Sequence, residues 1–153
     1  MRDAISLAQK EALKAKDKTA LSTIRLITAA LKDRDIAARS KDVADGISDD
    51  EILAMLQTMI KQRNDSIKLY NEGNRPELAA AEQEEIRVIQ QFLPSQLSEA
   101  ELEEAIAKAI ASSDAESVRD MGKVMAVLKA EFTGRIDFGA ASGLVKQKLM
   151  QKD

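Results

Sequence analysis

Apolar residues recur every three to four positions along this chain, and residues that stop helices interrupt them at regular intervals. The pattern predicts helices from end to end. Ile5, Ala8, Ala12 and Leu13 share a face in a helix over about residues 3–16. Asp17 is placed to cap a second helix, whose stripe is Leu21, Ile24, Ile27, Thr28 and Leu31 and which fades near Arg39. Residues 40–46 are polar and read as a loop. Ser48 and Glu51 then form a capping box, each able to bond the other's backbone N–H. The third helix carries Ile52, Leu56, Met59, Ile60, Arg63 and Ile67. Gly73 is expected to end it in a left-handed conformation. Asn74 is expected to cap a fourth helix, with Arg75 and Pro76 in its first turn. Leu78, Ala81, Glu85, Ile86, Ile89 and Leu93 continue that helix to Pro94, because the residue before a proline is forced out of the helical region.

The pattern then restarts on a smaller scale. Ser98 and Glu101 repeat the capping box before Leu102, Ala105, Ile106 and Ala109. Met121, Val124, Met125 and Leu128 make a sixth stripe, ended by Gly134. Asp137 caps a seventh helix built on Leu144, Val145 and Leu149. The expectation is an all-α protein with two domains: a four-helix domain over residues 1–93 and a small three-helix domain over residues 97–150. The second is short for an independent core.

Composition agrees with helices and narrows the chemistry. Aromatics are only 3% of the 153 residues, so the core must be aliphatic. There is no cysteine and no histidine, which removes thiolate chemistry, the commonest metal ligand and the commonest general base. No serine has a histidine to activate it, and no phosphate-binding loop is present. Glu82, Glu84 and Glu85 are spaced as on an exposed helix rather than as an acid/base pair or a magnesium site. No catalytic residue, metal site or cofactor is identified. The N-terminus lacks a signal-peptide apolar run and no stretch is apolar enough to span a bilayer, so the chain is read as cytoplasmic, with no membrane partner.

Charge is unevenly distributed although the net charge is only −3. Residues 119–152 hold seven bases against three acids, a local excess of the kind that contacts phosphates. Arg119, Gly122, Lys123, Lys129, Gly134, Arg135, Lys146 and Lys148 are the candidate RNA-binding residues. Glycines beside Lys123 and Arg135 would let a phosphate approach the backbone, near the N–H groups that open the last two helices. A solvated basic face explains the same residues. Residues 2–41 are a second basic region, read as a mixed charged surface. Within it Arg25 is expected to be partly buried and paired with a carboxylate. The polar run from Lys61 to Ser66 is expected to bond between helices.

Several runs resemble a known family. Leu21-Ser-Thr-Ile-Arg-Leu26 with Ala29-Ala-Leu-Lys32 is similar to helix two of the GatB/YqeY family. So are Met59-Ile-Lys-Gln-Arg-Asn-Asp-Ser-Ile67 with Tyr70 and Gly73, and Glu77-Leu-Ala-Ala-Ala-Glu-Gln-Glu-Glu-Ile86 leading to Phe92-Leu-Pro-Ser-Gln-Leu97. Asp120-Met-Gly-Lys-Val-Met125 with Gly134-Arg135 resembles its C-terminal motif, departing at Ile136 and Phe138, where smaller or more polar residues are expected. The resemblance implies an all-α fold whose C-terminal part is similar to the tail of the B subunit of the tRNA-dependent amidotransferase. It further implies tRNA, or aminoacyl-tRNA and the amidation machinery, as partners. The alternatives it leaves are a protein–protein adaptor in translation, or an accessory subunit of a carbon–nitrogen ligase that uses glutamine as amido donor.

Overall fold

The computed structural model describes residues 1–152 and is all-helical. Helix α1 spans Arg2–Lys14, α2 Lys18–Arg39, α3 Asp49–Glu72 and α4 Pro76–Gln90. After Pro94 come α5 (Glu99–Ser112), a 3-10 turn (Val118–Asp120), α6 (Met121–Phe132) and α7 (Phe138–Lys152). No strand occurs among the described residues.

The helix starts follow from local side-chain chemistry. Ser48 Oγ accepts the Glu51 N–H at 3.2 Å, and Glu51 Oε2 accepts the Ser48 N–H at 2.8 Å. Ser98 and Glu101 repeat this at 3.2 and 2.8 Å. Asp17 Oδ1 accepts the Ala20 N–H at 3.1 Å. Each bond satisfies a donor that the helix itself leaves without a partner.

The junction between α3 and α4 differs from the expectation. Gly73 has φ −84°, and the left-handed residue is Asn74, at φ 57°. The Arg75 N–H reaches back to the Tyr70 carbonyl at 2.7 Å and the Asn74 N–H to that of Asn71 at 3.2 Å, which closes a Schellman motif. Asn74 therefore ends α3 instead of capping α4, whose N-cap is Arg75 with no side-chain bond. Asparagine tolerates this conformation better than most residues.

The chain separates into two compact units, the first over Met1–Leu93 and the second from Pro94 onward. In the first unit α3 packs along α4, and α2 lies against α1, α4 and α3. Ile24, Ile27, Ile52, Met55, Leu56 and Ile89 lie in its core. The inward stripe of α2 centres on Ile27 and includes Thr23, so Thr28, a further 100° round, is exposed. Leu13, Leu78 and Ala81 sit off their stripes for the same reason and are exposed, while Ala79 is buried in α4. Helix α4 stops at Gln90, three residues before the expected end, as Phe92 and Leu93 turn onto the carbonyls of Ile89 and Gln90.

Two polar links hold this unit. Arg2 grips Asp35 with both terminal nitrogens, at 2.7 and 2.9 Å, and donates to the Ile47 carbonyl at 3.0 Å. Asp35 also accepts the Ile47 N–H at 2.9 Å. This ties α1 to α2 and to the loop before α3. Gly46 makes the loop possible: its φ is +83°, and a Cβ there would lie 2.5 Å from the Asp35 carboxylate. The second link is Arg63 Nε to Glu85 Oε2, 2.8 Å, between α3 and α4. Within the polar run Lys61–Ser66 only Arg63 makes such an inter-helix bond among those observed; Lys61, Gln62, Asn64 and Asp65 are exposed.

In the second unit α6 packs against both α5 and α7. Ile106, Ala109, Val124, Leu128, Val145 and Leu149 form its core. Ile136 is buried there and Phe138 packs against it, so the two departures from the family pattern fill space in this core.

Candidate nucleic-acid interface

The eight candidate residues fall in three places within the second unit. Arg119 lies in the 3-10 turn before α6 and Gly122 and Lys123 in the first turn of α6, and all are exposed. Lys129 is exposed in the last turn of α6, followed by the turn that holds Gly134 and Arg135. Lys146 and Lys148 lie in the second half of α7. Lys123 and Lys129 are six residues apart, about 9 Å along the axis and about 120° around it. Lys146 is exposed, whereas Lys148 is half-buried and lines a groove with Ala107, Ile110, Ala111, Gln151 and Lys152. The structure therefore presents several cationic points around α6 and α7, not one continuous face.

The opening of α7 and the 3-10 turn before α6 already hold carboxylates. Asp120 Oδ2 accepts the N–H groups of Glu116 at 3.0 Å and Ser117 at 3.4 Å, and these hold the Asp120 carboxyl below its ordinary value. Lys123 Nζ lies 3.5 Å from Asp120 Oδ1. At α7, Asp137 Oδ1 accepts the N–H of Gly139 at 2.9 Å and that of Ala140 at 3.4 Å. Asp137 thus caps the helix as expected. A phosphate arriving at the start of α7 would meet a carboxylate in its place, and Asp120 puts negative charge beside the start of α6, so side-chain cations are the groups best placed to meet an anion.

Gly134 and Arg135 have a structural part that sequence reasoning missed. Gly134 is buried, and its φ is +82°. Thr133 has φ −52° and ψ 127°, and the Arg135 N–H returns to the Phe132 carbonyl at 2.9 Å. These are the marks of a type II turn, which needs glycine at its third position. Thr133-Gly134 directly after the α6 stripe was the available signal. The turn secures the segment that follows Pro94. Gln96 Nε2 donates to the Gly134 carbonyl at 2.7 Å, Arg135 Nε to the Ser95 carbonyl at 2.9 Å, and the Leu97 N–H to the Arg135 carbonyl at 3.0 Å. The Arg135 guanidinium also lies 5.9 Å from the centre of the Phe132 ring. Gly134→Ala is expected to cost about 1–2 kcal/mol, from the left-handed backbone alone. Urea denaturation, read through amide protection in the second unit, checks this.

Arg25, expected to be half-buried and paired, is instead exposed on α2 with no carboxylate partner among the described residues. No group of three or more acidic side chains placed to hold a metal ion occurs among the described residues. Nor is any described helix long and apolar enough to cross a membrane.

Curated relatives include the protein "Altered inheritance of mitochondria protein 41, mitochondrial" from several fungi. That of Pyrenophora tritici-repentis is 30% identical over 129 residues, covering 82% of this chain and 67% of the relative. Those of Vanderwaltozyma polyspora and Candida glabrata are 33% and 34% identical over 86 and 84 residues. These two alignments cover 56% and 55% of this chain, and less than half, 44%, of each relative. Their names overturn the expectation of a cytoplasmic protein: lack of a signal-peptide run and of a bilayer-spanning stretch does not separate the cytosol from the inside of an organelle. The family model described as "Yqey-like protein" matches residues 2–149, with the segments around Arg25, Arg63, Pro94 and Gly134 all inside the match. On that match and the Pyrenophora likeness, the chain belongs to the Yqey-like family.

Proposed function

We propose that this protein is a non-catalytic, helical RNA-binding module whose second unit grips the phosphate backbone of tRNA. The observation that carries the reading is the set of exposed cations, Arg119 in the 3-10 turn, Lys123 and Lys129 on α6 and Lys146 on α7. The resemblance of the C-terminal part to the amidotransferase tail supports tRNA as the RNA. On this reading residues 1–93 and 97–150 are separate domains, the second making the contact. Aromatics are scarce, so recognition is of shape and backbone, not of stacked bases.

Because Arg135 holds the Pro94–Leu97 segment, it is a poor probe of RNA contact. Lys129→Glu combined with Lys146→Glu alters exposed side chains only. The pair is expected to weaken binding of total tRNA by about 10–100-fold at moderate salt, since each reversal removes one phosphate contact and adds repulsion. Fluorescence titration measures it. Unchanged affinity would place the RNA surface elsewhere or remove it.

A further inference from the structure

Helix α2 carries a row of four bases at seven-residue intervals: Lys18, Arg25, Lys32 and Arg39. All four are exposed. Seven residues are nearly two turns, so the row runs almost parallel to the helix axis, drifting by about 20° per step, with a cation every ~10.5 Å. The helix holds five bases against two acids, and one of the acids, Asp35, is turned to Arg2. Beside the row, within about 100° of it, stand Leu26, Ala29 and Ile36, with one exposed acid, Asp33, on the same side. Leu26 is 48% exposed and Ile36 54%. The two are ten residues apart, about 15 Å along the axis. The buried stripe of α2 faces the opposite way, so packing in the first unit uses none of these residues.

We propose that this outward face of α2 docks an α-helix of a partner protein that carries acidic residues at a seven-residue repeat beside an apolar stripe. Two features favour a helix over a nucleic acid. A partner helix has the same ~10.5 Å repeat as the basic row, so its carboxylates stay in step with Lys18, Arg25, Lys32 and Arg39 over three intervals. Leu26 and Ile36 offer apolar area that a phosphate backbone cannot cover, whereas an amphipathic helix covers it as it pairs the charges. Small Ala29 between them lets the partner backbone come close. This surface belongs to the first unit, so its test is separate from that of RNA binding by the second.

The test is photo-crosslinking in cells of the source organism. A benzophenone amino acid replaces Leu26 in one version of the full chain and Ile36 in another, and the crosslinked segment is mapped by mass spectrometry. Both versions are expected to capture one nuclease-resistant segment of the same protein, net acidic and helical in its apolar spacing. Arg25→Glu with Lys32→Glu is expected to lower the yield at least tenfold, and Arg25→Gln with Lys32→Gln to lower it less, with helical content unchanged in both. Capture of RNA, of a second copy of this chain or of a basic segment would overturn the proposal. So would the absence of any crosslink, or a yield indifferent to the charge reversal.

Discussion

Leu128→Ala is expected to unfold the second unit while leaving the first intact. Leu128 is fully buried in the cluster where α6 meets α5 and α7. Truncation of such a leucine costs about 3–5 kcal/mol, the lost transfer energy plus the cavity. A core of this size supplies roughly 3–5 kcal/mol in all. The loss therefore matches the whole stability of the unit. Hydrogen exchange measured by mass spectrometry separates the outcomes. Amides of α5, α6 and α7 should lose protection, while those of α2, α3 and α4 keep theirs. Simultaneous loss in both units would mean that the two fold as one cooperative body, and the reading of two domains would fall.

Asp35→Ala is expected to destabilise the first unit by about 2 kcal/mol, lowering its melting temperature by on the order of 10 °C. The figure is held down because the Arg2 side chain is 40% exposed and regains water when its partner goes. The Ile47 N–H loses its acceptor as well. The bidentate bond from Arg2, followed by the Ile47 N–H, holds the Asp35 carboxyl down to about 2, against an ordinary value of 3.8. A carboxyl held lower in the folded state contributes stability above its unfolded pKa and loses it as pH falls through the folded one. The gap in stability between the wild type and Asp35→Asn should therefore be constant above about pH 5 and shrink between about pH 4 and pH 2. Tyr70, the single tyrosine, lies in the first unit, so the tyrosine band of the near-ultraviolet spectrum follows this transition, apart from the phenylalanine bands to which Phe132 and Phe138 of the second unit contribute. A gap that stays constant down to pH 2 would show that the clamp contributes nothing in solution.

Sequence revealed the parts of this fold that depend on neighbours along the chain. Ser48 with Glu51, Ser98 with Glu101, and Asp17 are local devices that side chains three residues apart complete by themselves. The stripes on Ile24, Ile27, Val124 and Val145 were equally plain. What stayed hidden depends on distant partners or on a small rotation. Asp35 meets Arg2 from 33 positions away, and nothing in the spacing of either announces the clamp. Thr23 and Thr28 both border the α2 stripe, and a turn of 100° decides which is buried. Arg25 has apolar neighbours in sequence, but Ile24 turns into the core about 100° away from it, and Leu21, one turn back on its own side, is only half-buried. At the candidate site, residue type and local charge were legible. The diversion of Gly134 and Arg135 to holding the Ser95–Leu97 segment was not, because that contact joins residues about 40 apart.

On the proposed function the second unit binds tRNA by its backbone. Titrating the whole protein with total tRNA over a range of salt concentrations tests it most directly. With four exposed cations engaged, log affinity should fall against log salt with a slope of about −3, and an unlabelled tRNA competitor should displace the probe. Absence of binding at low salt, or an affinity that salt does not change, would mean that the second unit does not grip a phosphate backbone.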